Sequence, residues 1–209
     1  MLPDHNTMVI NILAFYAEAT PQERSNGFAW YPTAYSEAVS MENRTGIDRS
    51  VTAAVIAALS PQMEWGANVR WAREAVDAWV AGNPVPRRGL GNSIKRAQRA
   101  LEGDSSDILR ESGTLKVRNF YGSIMGERGA VCVDRHALRI ALGDPMGTPP
   151  GMTDARYLMV ADAYRSAARE LKIGARHLQA ITWIVCKRVR EAENAYENLP
   201  RWWRVGSAA

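Results

Sequence analysis

A lysine that opens one helix and an aspartate that opens the next give this chain its clearest chance of doing chemistry. Lys116 begins the apolar-periodic segment 116–125, and Asp134 stands immediately before the segment 135–142, 18 positions further on. Short helices joined by a tight turn can bring two such N-termini to one place. An amine there serves as a nucleophile or as a cation; a carboxylate serves as a base, a stabiliser of developing positive charge, or simply a cap. Aspartate before a helix is ordinarily a cap, its oxygen accepting from unpaired amides of the first turn. Lysine at that end faces the positive pole of the helix dipole, a placement that solvent exposure excuses and that otherwise needs a reason.

Helical periodicity runs through nearly the whole chain and decides how these residues are held. Val9, Ile10, Leu13, Ala14 and Ala17 form an apolar stripe behind an Asn6 or Thr7 cap. Thr20-Pro21 opens a short second helix that Gly27 ends, and residues 30–41 form a third. Asp48 caps the most apolar segment, 51–59, which Ser60-Pro61 terminates. A helix that is apolar all round belongs at the centre of the molecule. Residues 65–80 read as a long amphipathic helix, and 94–101 as another behind Gly91-Asn92-Ser93. Residues 104–107 cap a short helix that ends near Ser112-Gly113. Between 116–125 and 135–142 lie a turn at 126–129 and an extended link at 130–133. The loop 143–151, with three Pro and three Gly, is the natural hinge. Two long helices, 154–171 and 175–194, follow, and Trp202-Trp203 reads as a packing anchor for the tail. The expected fold is all-α: one domain over 1–209 made of two packed lobes. The central lobe takes about 48–143, and the second takes 1–47 plus 152–209.

Composition narrows the function classes. Hydrophobic residues make up 46% and charged residues 23%, the balance of a water-soluble globular chain. No apolar run approaches the ~18–20 residues that cross a bilayer, and the first residues lack the basic start and unbroken apolar stretch of a signal peptide. A cytoplasmic protein, with no membrane partner, is expected. Cys132 and Cys186 are too few for a disulfide framework, and His5, His136 and His177 are scattered, so neither a metal nor another cofactor is expected. The net charge of +4 is uneven: 10 Lys+Arg against 11 Asp+Glu up to residue 104, then 16 against 11. A basic second half suits a polyanionic partner, although a solvated face such as Lys187, Arg188 and Arg190 is an equally plain reading.

The stretch Val133-Asp134-Arg135-His136-Ala137, ending in Arg139 and Leu142-Gly143, resembles the segment that carries the catalytic aspartate of helix-hairpin-helix (HhH-GPD) DNA glycosylases. That family's usual form is Val-Asp-Thr-His-Val followed by Arg and Leu-Gly. Its glycosylase/lyase members carry a lysine at a closely similar distance upstream, which puts Lys116 in that role. Ala57-Ala58-Leu59-Ser60-Pro61-Gln62 resembles the family's Leu-Ser-Gln-Gln segment; residues 91–100 resemble the helix before the hairpin, and 176–188, with Gln179 and Trp183, the closing helix. The order agrees over roughly residues 45–190. Two features depart. The family hairpin, Leu-Pro-Gly-Val-Gly, is replaced by Arg110-Glu111-Ser112-Gly113-Thr114-Leu115, leaving Gly113 alone to hold a DNA phosphate. The iron–sulfur cysteines are missing, with only Cys186 near that place. The form Lys-Val-Arg-Asn-Phe-Tyr then Val-Asp-Arg-His-Ala is similar to a divergent, largely phage-encoded branch, called α-glutamyl/putrescinyl-thymidine pyrophosphorylase-like, linked to thymine hypermodification. A phage protein would work in the host cytoplasm.

The resemblance implies an enzyme acting on a flipped, modified pyrimidine in DNA. As a glycosylase, it would use the Asp134 carboxylate to stabilise an oxocarbenium-like sugar, and Lys116 to attack C1′ and form a Schiff base that permits strand scission. A lysine of ordinary pKa, about 10.4, must first be desolvated or deprotonated by a neighbour. As a transferase, it would keep the sugar bond and let a small amine or amino acid displace pyrophosphate from an activated 5-hydroxymethyluracil, with Lys116, Arg118 and Arg135 holding the leaving group. A non-catalytic DNA-binding protein is the third reading. Gln62 matches the position that enters the space left by the flipped base, or else satisfies a loop amide. Trp65 and Asn68, one turn apart on one face, stack on a base or pack in the core. His136 hydrogen-bonds locally or joins the chemistry. Gln179 and Trp183, four apart, read as packing between the lobes.

Overall fold

The computed structural model describes residues 2–104 and 115–197. Among them are nine α-helices and no strand: α1 (His5–Ala17), α2 (Pro21–Thr45), α3 (Arg49–Leu59), α4 (Trp65–Val80), α5 (Gly91–Leu101), α6 (Leu115–Met125), α7 (Arg135–Leu142), α8 (Asp154–Leu171) and α9 (Ala175–Glu197). The fold is all-α. None of these helices is long and apolar enough to cross a membrane. The short helix expected at 104–113, the hairpin residue Gly113 and the Trp202-Trp203 anchor lie outside the described residues.

At the centre is α3. Asp48 caps it by accepting from the Ser50 amide at 2.7 Å, and every residue from Thr52 to Leu59 is buried. Burying Val55, Ile56 and Leu59 stabilises by roughly 1.5–3 kcal/mol each. The alanines between them have no bulk to hold neighbours away, so α2, α4, α5 and α6 all pack against this one short rod.

Two helices depart from the sequence expectation. The α1 cap is Asp4, which accepts from the Thr7 amide and hydroxyl, so neither Asn6 nor Thr7 caps it. Its buried face is Met8, Val9 and Ile12, while Ile10, expected in the stripe, is exposed. Gly27 does not end the second helix, and residues 30–41 do not begin a third; α2 runs unbroken to Thr45. It opens on a capping box, Thr20 Oγ1 accepting from the Glu23 amide and Glu23 Oε2 from the Thr20 amide. Gly27 sits where α2 crosses α9: a Cβ there would lie 2.3 Å from Ile181 Cγ1. Pro32 lies on the exposed side, where water solvates the carbonyl its ring leaves unpaired. The true stop is Gly46, in the left-handed conformation with φ of 75°.

Buried apolar side chains gather in two main clusters. One joins α2 to α3–α6, with Tyr31, Met41, Trp71, Phe120 and Ile124 among its larger members. The other joins α1, α7, α8 and part of α9 through Met8, Ile12, Leu138, Tyr157 and Tyr164. The extended link 130–133 passes between them and contributes Cys132 to the first, Val131 and Val133 to the second. Tyr157 pins it: its hydroxyl donates to the Val131 carbonyl at 2.6 Å and accepts from the Val133 amide at 3.1 Å. That double bond fixes where Asp134 leaves the link and α7 begins.

Candidate functional site

A cavity of about 130 Å³ opens where α2, the turn after α3, α4, α6, the link and α9 converge. Three helices present it with residues one turn apart: Trp65 and Asn68 from α4, Lys116 and Phe120 from α6, Gln179 and Trp183 from α9. Trp30 and Tyr31 enter from α2, and Ser60, Met63 and Glu64 from the turn.

The wall is aromatic. Trp30 is its hub, with ring centroids 5.0 Å from Trp65, 5.8 Å from Phe120 and 6.4 Å from Trp183, all tilted or edge-on. Such rings hold one another in place and leave π-faces and edges towards the space between them.

The polar groups are few and partly open. Asp134 caps α7, its Oδ1 accepting from the Ala137 amide at 2.9 Å; among the described residues no donor reaches Oδ2. Lys116 lies in the first turn of α6, half-buried, and its Nζ forms no hydrogen bond or ion pair with a described residue. Both charges act on Cys132, whose Sγ donates to the Lys116 carbonyl at 3.9 Å. Burial pushes that thiol up to about 12, the Asp134 charge adds to the rise, and the Lys116 charge opposes it. The thiol therefore stays protonated at neutral pH; the amine of the lining is that of Lys116, and its carboxylates are those of Asp134 and Glu64. Burial also holds the Tyr31 phenol well above its usual range, so it stays a donor, giving its proton to Gln179 Oε1 at 2.7 Å.

The structure thus brings Lys116, Asp134, Trp65 and Asn68 to one cavity. His136 stands behind it, edge-on to Trp183 at 6.0 Å and with Nδ1 3.6 Å from Cys186 Sγ. Burial lowers its pKa, Asp134 raises it, and Arg139, Arg190 and Lys187 lower it further, so it is neutral at pH 7. Gln62 is exposed at the lip between Ser60 and Met63, with φ of 63°, a backbone state costing a non-glycine residue roughly 1–2 kcal/mol. Arg118 and Arg135 are exposed and outside the lining. Gln179 and Trp183 line the cavity in addition to packing between helices, a role the i, i+4 spacing could not distinguish. Trp30, Tyr31 and Phe120 were not foreseen; no local pattern marks residues drawn from positions so far apart as one wall. Among the described residues, no three His, Cys, Asp or Glu side chains form a group able to hold a metal ion.

No curated protein and no solved structure matches the chain. Residues 3–191 match the model of a family of unknown function, DUF7178, a span that takes in every residue lining the cavity. The chain belongs to the DUF7178 family.

Proposed function

We propose that this protein is a DNA base-processing enzyme that draws a flipped pyrimidine into the cavity and cleaves its N-glycosidic bond. The observation that carries the reading is the meeting of a lysine amine, unpaired among the described residues, and a half-engaged carboxylate in one aromatic-walled space the size of a single ring. A cavity of roughly 150 Å³ accommodates benzene, so 130 Å³ suits one six-membered ring better than a fused pair. Flipping costs a few kcal/mol, and stacking on aromatic side chains returns about 1–3 kcal/mol per base.

In this mechanism Asp134, fixed by its bond to the Ala137 amide, turns its open oxygen on the sugar as the bond to the base breaks and positive charge develops. Lys116 attacks C1′ as the free amine, its proton lost to solvent, and the base leaves with the bonding electron pair. Opening of the sugar ring then gives a Schiff base on Nζ, from which β-elimination cuts the strand. The chemistry needs no cofactor. Amine transfer at an activated 5-methyl group is less favoured, because a pyrophosphate leaving group calls for several cations and Lys116 is the sole Lys or Arg in the lining among the described residues.

Borohydride trapping on duplex DNA carrying thymine, uracil or 5-hydroxymethyluracil tests the reading, beside a Lys116→Ala control. A covalent adduct lost in the variant is the expected result. If neither adduct nor abasic product forms on any of the three, excision is overturned. DNA carrying a pyrophosphorylated 5-hydroxymethyl group, mixed with amines, then tests the transfer.

A further inference from the structure

We infer that Asn68 and Gln179 read the edge of the bound ring, Asn68 as hydrogen-bond acceptor and Gln179 as donor, and that together they select a pyrimidine of uracil type, whose ring N–H lies beside a carbonyl. The inference rests on the base-processing reading and gives it a substrate class.

Asn68 is 1% exposed, lines the cavity, and its Oδ1 is buried without a hydrogen-bond partner. The amide is not free to turn over. At the end of α3 the Ser60 amide bonds the Ala57 carbonyl at 3.3 Å, leaving the Ile56 carbonyl without its helical donor. Asn68 Nδ2 supplies that donor at 3.2 Å. Rotating the carboxamide would orphan Ile56 and set two acceptors face to face, so Oδ1 is held as the open end. A buried acceptor left open costs stability unless something supplies an N–H or O–H.

Gln179 faces the complementary way in this arrangement. It is 5% exposed, and its Oε1 is taken by the Tyr31 hydroxyl. Its Nε2, which makes no hydrogen bond to a described residue, is left to donate. Asn68 Oδ1, which has almost no accessible surface and is reached only as the lining yields to the ring, and Gln179 Nε2 together ask for a ring with one N–H and an adjacent acceptor. An imide brings a single N–H and uses Asn68 Oδ1 fully. The exocyclic amine of a cytosine brings two, and a single acceptor leaves one of them unpaired.

The test uses the intact protein and the quenching of its tryptophan fluorescence, since Trp30, Trp65 and Trp183 form the wall. Titration with 1-methyluracil should quench at a concentration about tenfold or more below that needed for 1,3-dimethyluracil, which keeps the ring and loses the N–H. Binding of 1-methylcytosine should fall between the two. In an Asn68→Leu variant, the preference for 1-methyluracil over the dimethylated ring should disappear. Equal quenching by the two uracils, or tighter binding of the cytosine, overturns the assignment of Asn68 and Gln179 while leaving the cavity as a ring site. Failure of all three rings to quench overturns the base-processing reading as well. The ligand series decides the matter without the variant, should Asn68→Leu not fold.

Discussion

Two buried neighbourhoods meet at the link 130–134, and they treat polar groups in opposite ways. On the side of α1, α7 and α8, every buried polar atom among the described residues is used. Tyr157 bonds both ways across the link, and Tyr164 shares its hydroxyl with Thr182 at 3.0 Å, which in turn donates to the Leu178 carbonyl. On the cavity side, among the described residues, Asn68 Oδ1 is buried and open, Lys116 Nζ has no partner, and Asp134 spends one oxygen and keeps the other. Open groups of this kind cost about 1–3 kcal/mol each when buried. A fold able to satisfy Tyr157 and Tyr164 so fully is not short of means; among the described residues Asn68 Oδ1 stands open in the cavity lining, while Arg24 Nε, Glu42 Oε2 and Ser123 Oγ lack a hydrogen bond outside it.

The largest effect that would sharpen this contrast comes from Asp134→Asn. Asparagine caps a helix as well as aspartate does, so the unfolding midpoint should hardly move. Excision should nevertheless fall by about a hundredfold or more, the usual cost of removing a group that acts on the transition state. Asp134→Ala should lose the same activity and about 1 kcal/mol of stability besides. If Asp134→Asn keeps its activity, the residue is a cap and nothing else.

Next comes Tyr157→Phe, which leaves an amide and a carbonyl of the link without a partner. It should destabilise by about 1–3 kcal/mol in urea. Asn68→Leu, by contrast, deletes an open acceptor as well as the bond to Ile56, and should cost about 1 kcal/mol or less. A reversal of that order would break the comparison.

The smallest effect concerns pH. His136 and His177 both have pKa values lowered in the folded chain, chiefly by burial. The unfolded chain therefore binds their protons first. Stability is full above the ordinary histidine value of about 6.5 and declines as pH falls below it. The carboxylates whose pKa is lowered, Asp4 by the Thr7 amide and Asp48 by the Ser50 hydroxyl, lose their contribution only at more acid pH. Thermal midpoints measured from pH 7.5 to 5.5 should fall in the wild type and fall less in His136→Leu; parallel curves would remove His136 from the account.

Much of the fold was legible in the sequence because local signals and tertiary packing agree. Asp48 and Ser60-Pro61 bracket α3, and the spacing of α7 and α8 places them where they are found. The second helix was misread because Gly27 and Pro32 are helix breakers by propensity, worth roughly 1 and 3 kcal/mol in an exposed helix. Packing against α9 outweighs that cost, and no local pattern reports it. At the site, Lys116, Asp134, Trp65 and Asn68 were marked by position on their helices. Trp30, Tyr31 and Phe120 were invisible, since an aromatic wall drawn from four helices has no spacing of its own.

The close crossing at Gly27 also acts as a gauge. Gly27 and Tyr31 are one turn apart on α2, and Ile181, which fills the space of the missing Cβ, lies between Gln179 and Trp183 on α9. The distance between the two helices is thus set one turn away from the cavity, by the absence of a methyl group. Gly27→Ala would lever α9 outward and widen the slot, so the variant should bind 9-methyladenine, a fused ring, better than the parent does. Such a result would make the width of the cavity adjustable from a position outside its lining.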